Sequence, residues 1–391
     1  MRAVEILRQF RKNLRGVHLA RCRAVFAVAH ALVWSGRLSL TNLGRAVATR
    51  TSAKHGIKRV DRLLGNPRLH ADRETFFRAI AWRVLGNARR PVVIVDWTAV
   101  TPKLWALVAA VAFEGRAIVV YAETHPIARY MKPYVHKEFL LKLQRILPAG
   151  CKPVIVTDAG FRSPWMKEVL HLGWDYIGRI RHGTVQYVKG KVWMGFGKLW
   201  QMTRTVPTDL GHFELAREAR HPCRLVGIRK INGLVLPTSP KARGFRLDRG
   251  VARQRRNALE PWTLATSLEG PASQVIACYR QRMQIEETFR DTKSHRYGIS
   301  MAHARTSSPE RADVLLLLAA LAMLVTTIIG IAAELLHLHR RLQANTVRDR
   351  RVLSLPTLGR LLANSRAPKL RIPWRTSWLK LTAALPLHEP T

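Results

Sequence analysis

PVVIVDW, residues 91–97, is the stretch whose reading decides the fold. Four β-branched residues in a row with no polar break predict a central strand buried on both faces. The run ends on an acid, Asp96. Working outward, LWALVAAVAF, EGR and AIVVYAE (104–123) predict a hairpin turning through Gly115. HKEFLLKLQRIL (136–147) has helical spacing, and KPVIVTDAGF (152–161) returns to a buried strand that ends on a second acid, Asp158. SPWMKEVLHLG (163–173) predicts a short helix with Ser163 as N-cap, Pro164 at its first position and Gly173 as its stop. DYIGRIR (175–181) is a further strand.

The order is therefore three strands, helix, strand, helix, strand. In a sheet of the ribonuclease H type this order sets Asp96 and Asp158 side by side on neighbouring strands. The fold class expected is α/β, a mixed sheet with flanking helices. Residues 182–265 break into short apolar stretches separated by Gly and Pro, which predicts a β-rich insertion. GFG at 195–197 resembles a fragment of a phosphate loop, but no Walker lysine pattern follows, so a nucleotide site is not expected there. Residues 1–70 read as short Arg-rich helices; SLTNLGRAV (39–47) followed by KHGIKRVDRLL (54–64) fits a helix-turn-helix and equally a solvated bundle.

Charge narrows the function. The 391 residues carry 66 Lys and Arg against 25 Asp and Glu, a formal charge of +41 and a pI near 11.5. With 47% hydrophobic residues the chain is no disordered basic tail. So much like charge in a folded protein calls for a polyanion, nucleic acid first and an anionic membrane surface second. Cys22, Cys151, Cys223 and Cys278 are far apart and form no C-x-x-C pair, so neither a zinc site nor a disulfide framework is indicated, and a reducing cytoplasm fits. Arg21, Arg23, His30 and Arg37 interrupt the first apolar run, which does not read as a signal peptide. Val314 to Ala333 is uncharged for 20 residues, long enough to span a membrane and equally suited to the centre of a large domain.

YRQRMQIEETFRDTK (279–293) holds two adjacent glutamates in a chain poor in acids. On one continuous helix, Tyr279, Arg282, Glu286, Arg290 and Lys293 share a narrow face, with Cys278, Ile285 and Phe289 on the adjoining arc. Spacing of Arg282, Glu286 and Arg290 by four is also that of a solvated salt-bridge helix. A carboxylate among Arg, Lys and Tyr is in addition what a phosphodiester site needs, an acid for a metal and cations for phosphates. Asp96, Asp158 and Glu286 would then form a three-carboxylate metal cage.

Tyr279, Arg282, Glu286 and Lys293 match the spacing of the Y-R-E-K signature of bacterial insertion-sequence transposases of the IS-four family, which the chain resembles. HGIKRVDRLLGN, VDWT, VTDAGFRSPW, EPWTLAT, RMQIEETFRDTKS, ARTSS and QANTVRDR carry the likeness in order from about residue 17 to 360. The resemblance implies a DDE transposase with a helical DNA-binding region (1–88), a ribonuclease H-like core in two parts (89–181 and 269–362), a β-rich insertion (182–268) and a basic tail (363–391). It implies that Asp96, Asp158 and Glu286 hold two Mg²⁺ ions, with Mn²⁺ as a substitute. It implies nicking at the transposon end, hairpin formation, hairpin opening and strand transfer to target DNA, the alternative being an inactive DNA-binding relative. Tyr279, Arg282, Arg290 and Lys293 would face DNA phosphates, and Trp262 would stack on a flipped base, the plainer reading being core packing beside a strand. Implied partners are double-stranded DNA, as terminal inverted repeats and target, and a second copy in a paired-end complex, with no membrane; the setting is the cytoplasm, at the nucleoid.

Overall fold

A computed structural model describes residues 3–47, 52–181, 187–189, 192–216, 220–229, 260–294, 299–301, 304–344, 346–347, 349–365 and 373–385. Expectations for 182–186, 190–191, 217–219 and 230–259 in the insertion and for the ends of the tail lie outside the described residues. In chain order the elements are α1 (Ala3–Arg8), α2 (Leu19–Ser35), α3 (Leu40–Ala46), α4 (Ala53–Leu64), α5 (Pro67–Leu85), β1 (Val92–Thr101), β2 (Leu104–Phe113), β3 (Arg116–Pro126), α6 (Pro133–Ile146), β4 (Val154–Thr157), α7 (Ser163–His171) and β5 (Asp175–Ile180). Then follow β6 (Tyr187–Lys189), β7 (Val192–Met194), α8 (Phe196–Met202), β8 (Thr208–Leu215), β9 (His221–Ile228), β10 (Trp262–Thr266), α9 (Ala272–Arg280) and α10 (Met283–Lys293). Last come α11 (Pro309–Leu335), α12 (His339–Leu342), α13 (Leu355–Asn364) and α14 (Trp374–Ala383). The chain is mixed α/β and forms two compact units, Met1–Pro153 with Gln281–His388, and Val154–Arg280.

In the first unit β1, β2 and β3 form an antiparallel ladder in which Asp96 faces Val108 and Trp97 faces Leu107. Glu114 and Gly115 turn the β2–β3 hairpin with φ of 45° and 86°. Two positive φ values are what a two-residue type I′ turn requires, and they match the twist of the flanking strands. β1 is buried along nearly its whole length, as its β-branched run predicts.

The apolar run 314–333 is the interior of α11. Its side chains are buried throughout, apart from the half-buried Met323, against α2, α5, α13, α14 and β3. Hydropathy could not choose between lipid and protein as the surrounding medium; packing on the surrounding helices and on β3 makes it a core helix rather than a membrane span. Ser308 caps it, its Oγ accepting the Arg311 N–H at 3.3 Å, and Pro309 opens it. Asp313, 5% exposed, is tolerated near its start because it pairs with Arg73 and accepts the Thr124 N–H at 2.6 Å.

Two helix crossings depend on glycine. A methyl group on Gly330 of α11 would overlap the Leu355 carbonyl, and one on Gly359 of α13 would overlap the Thr326 carbonyl. Likewise Gly44 of α3 and Gly56 of α4 meet backbone to backbone. That contact packs α3 on α4, while Lys54, Lys58, Arg59 and Arg62 remain exposed along α4.

The second unit holds a mixed sheet. β4 and β5 are parallel, joined through α7; β5 pairs antiparallel with β10, β10 with β9, β9 with β8, β8 with β6 and β6 with β7. α7 packs on β5, and α9 on β8 and β9. The expected N-cap of α7 is corrected: Arg162 is the cap, without a side-chain bond, while Ser163 is the first helical residue and 1% exposed. The chain enters the helix one residue early, so the hydroxyl points inward. Gly173 does end the helix, at φ 70°.

Gly359→Ala is expected to cost about 1–3 kcal/mol, because two backbones must separate to admit the methyl group. Urea denaturation of the purified variant beside wild type checks this; an unchanged midpoint would contradict the close crossing.

Candidate active site

The acid that ends the β-branched run meets the glutamate helix through one arginine. Asp96 sits within β1, where Oδ1 accepts the Trp97 N–H at 2.8 Å and Oδ2 accepts Arg282 Nη1 at 3.2 Å. Arg282 is the N-cap residue of α10, and its Nη2 donates to Glu286 Oε1 at 2.5 Å. One guanidinium thus bridges two carboxylates from segments 186 positions apart along the chain. The Arg282 and Asp96 side chains are 12% and 14% exposed and Glu286 41%, so the bridge runs from the interior to the surface. Lys293 lies near the same acid: burial pushes its ammonium down from the usual lysine range, and Asp96 pulls it back up.

The remaining predicted site residues fall elsewhere. Arg290 is exposed and pairs with Glu287 at 2.8 Å, not with Glu286. Tyr279 is not on the Glu286 helix. It belongs to α9, and a turn at Gln281 and Arg282 separates α9 from α10, so the single continuous helix expected over 279–293 is corrected to two. The break coincides with the boundary between compact units at Arg280 and Gln281.

In the second unit, Asp158 follows β4 and its Oδ1 accepts the Gly160 N–H at 2.8 Å, closing an Asx turn. Tyr279, 2% exposed, meets Trp262 edge to face with ring centroids 4.9 Å apart. Trp262 opens β10 opposite Ile228 and is half-buried. Among the described residues no group of three or more His, Cys, Asp and Glu gathers as a metal cluster. The geometry brings together Asp96, Glu286, Arg282 and Lys293.

The donor chemistry at Asp96 and Glu286 is carboxylate oxygen alone, which suits a hard divalent cation such as Mg²⁺. A positive group already stands between the two acids, the guanidinium of Arg282. These two carboxylates supply part of the three-acid set expected for a metal; the third, Asp158, belongs to the second unit.

Residues that the sequence reading passed over fix α10 in place. Gln284 Oε1 accepts the Gly115 N–H at 3.0 Å, Thr288 Oγ1 accepts the Ala117 N–H at 2.6 Å, and Arg116 Nε donates to Asp291 Oδ2 at 2.6 Å. Spaced by four and three, Gln284, Thr288 and Asp291 form one stripe docked on the β2–β3 hairpin. Thr288, 1% exposed between Glu287 and Phe289, was the available signal: a β-branched residue in a helix whose hydroxyl needs a partner.

Trp97 is held from its other side. Its Nε1 donates to His136 Nε2 at 3.0 Å, and its ring packs against His125 and Tyr130. To accept that bond His136 must be neutral at Nε2. Burial, helped by the neighbouring His125, pushes it down from 6.5 to about 4. On β3, Glu123 is held down at about 2: burial opposes its charge, but bonds from His125, Lys142 and Tyr121 prevail.

The family described as Transposase DDE domain matches residues 87–323, more than half of the chain. No curated protein matches it.

Thr288→Val is expected to lower stability by about 1–3 kcal/mol, since the buried Ala117 N–H loses its acceptor; a thermal melt equal to wild type would contradict the docking role. His136 binds its proton more weakly folded than unfolded, so the unfolded chain holds more protons between about 4 and 6.5. Stability should therefore fall as pH drops through that window, and His136→Leu should flatten part of the fall in urea midpoints measured from pH 7 downward.

Proposed function

Because the chain belongs to the Transposase DDE domain family, we propose that it is a cut-and-paste transposase of the IS-four type, working on double-stranded DNA in the bacterial cytoplasm, at the nucleoid. The observation that carries this reading is the Asp96–Arg282–Glu286 bridge, which lies inside the matched segment and joins acids from two distant parts of it. Asp158 is the third carboxylate of the proposed set, and the three together would hold two Mg²⁺ ions, with Mn²⁺ as a substitute. When bound, such ions supply activation of a water or 3′-hydroxyl nucleophile and stabilisation of the leaving 3′ oxygen.

The residues of the chain do the rest. Asp96, on a buried strand whose neighbours are fixed by the Trp97–His136 bond, provides a carboxylate with little freedom to reorient. Glu286 stands at a set height because the Gln284–Thr288–Asp291 stripe anchors its helix. Arg282 and Lys293 carry the positive charge that a scissile phosphate would meet there, and Tyr279 and Arg290 are assigned to flanking phosphates. Trp262 is assigned to a base removed from the stack, for which an aromatic face restores part of the lost stacking energy. The reaction order is nicking, hairpin formation, hairpin opening and strand transfer, each an exchange of one phosphodiester bond for another bond to oxygen, so no protein-bound intermediate and no ATP are required. Residues 1–88 are assigned to DNA-end binding, and two copies are assigned to a paired-end complex because two ends need two sites.

The test uses a plasmid carrying the gene and its native flanks, purified protein and Mg²⁺, with products run on native and denaturing gels. Wild type is expected to release a fragment with hairpin ends. Asp96→Asn, Asp158→Asn and Glu286→Gln are expected to bind DNA and leave it uncut, and cutting retained by any of the three would remove that residue from the set. A wild type that shifts the plasmid without cutting it would favour a binding-only relative.

A further inference from the structure

Outside the site, a group of exposed cationic and apolar side chains in the first unit lies where β1 gives way to β2 and where β3 leads into α6. Ile127 and Tyr134 are 55% and 51% exposed, and Lys103, Arg129, Lys132 and Lys137 are exposed around them. Glu138 is the exposed acid nearby. Two large apolar side chains exposed on one surface and rimmed by charge are the composition of an interaction site.

The surface is built, not accidental. Ile127 N donates to the Lys103 carbonyl at 2.9 Å, tying the end of β3 to the β1–β2 turn. Tyr130 packs on Trp105 with centroids 4.4 Å apart and on Trp97 at 5.2 Å. His136 N bonds the Lys132 carbonyl at 3.2 Å, so α6 rises directly from this ledge with Tyr134 and Lys137 three apart on one face. Trp105 lies opposite Ala99 in the ladder, three residues along β1 from Asp96; the odd spacing puts it, with Trp97 and Tyr130, on the face of the strand opposite the Asp96 carboxylate.

We propose that this ledge holds a single strand of DNA, with phosphates on Lys103, Arg129, Lys132 and Lys137 and an unpaired base on Tyr134. The inference rests on the transposase reading above. Charge complementarity selects the occupant: four cations flank two apolar faces in a chain of +41. A groove that tracks the backbone electrostatically and offers a ring to each unstacked base is the way single strands are held. A duplex, its bases stacked inside, would use the cations and leave the tyrosine idle.

Binding of a fluorescent mixed-sequence oligonucleotide to the full chain, as single strand and as duplex in EDTA over a range of salt, tests the assignment. Tyr134→Ala is expected to weaken single-strand binding roughly tenfold, with duplex binding unchanged and Tyr134→Phe restoring it. Arg129→Ala with Lys132→Ala is expected to reduce the slope of log affinity against log salt by about 0.7 for each lost phosphate contact. Single-strand affinity and slope equal to wild type in all variants would overturn the ledge while leaving the transposase reading intact, as would a loss confined to duplex. A wild type that binds neither form would overturn the transposase reading itself.

Discussion

Two carboxylates near one another in a partly dry site repel unless a cation stands between them, and Arg282 is that cation. Its planar fork reaches both acids at once, which a lysine ammonium on a single stem would do less well. The bridge imposes conditions on everything around it. β1 must be fixed along its axis so that Asp96 cannot retreat, and α10 must be fixed in rotation so that Arg282 and Glu286 face the strand together. The first condition is met by burial and by Trp97 held on His136; the second by three side-chain bonds to the β2–β3 hairpin. Beneath both, α11 fills the interior with aliphatic side chains and so leaves the hairpin nowhere to move.

The same logic explains where the acids of so basic a chain go. Asp72 pairs with Arg21, Asp313 with Arg73, Asp291 with Arg116, Glu123 with Lys142, Asp209 with Arg224, and Glu260 with Arg179 and Arg181. Glu114 and Glu334 share Arg351 and Lys380, joining the hairpin turn, the end of α11 and the tail helix. Each of these acids ties two elements together. Acids committed to internal pairs leave the remaining cations outward, and a field of one sign over the surface draws a polyanion while opposing the compact state in its absence.

Much of this was legible beforehand because period and β-branching report burial directly. The strand-helix order over 91–181, the Gly115 turn and the Gly173 stop all follow from local chemistry, and the structure has them. What failed were features decided by tertiary contact. Residues 279–293 keep helical spacing and contain neither Gly nor Pro, so nothing local marks the turn at Gln281 and Arg282; the chain breaks there because it passes from one compact unit to the other. Arg290 was placed with Glu286 on spacing alone, yet Glu287 was as near in sequence and took the bond. For α11 the pattern alone was equally good for lipid and for protein, but the family resemblance placed it in the core, and the elements packed on it bear that out. The clamp of Gln284, Thr288 and Asp291 was invisible for a related reason, since polar residues on a helix look solvated until an edge strand presents its N–H groups.

The bridge also constrains how the site can work. With Arg282 and Lys293 beside Asp96 and Glu286, two positive charges stand against two negative ones, and the cluster as a whole offers little field to an incoming phosphate. Any positive charge added at the carboxylates changes that balance at once: the acids are then neutralised from another side, and the guanidinium regains its attraction for an anion. Its Glu286 end is the one to yield first, because that carboxylate is 41% exposed and water competes for it, whereas Asp96 at 14% has no such substitute. A single arginine placed between a buried acid and an exposed one is therefore not a rigid strut. It is anchored at the strand and exchangeable at the helix, and the direction in which it can swing is set by which of its two partners water can replace.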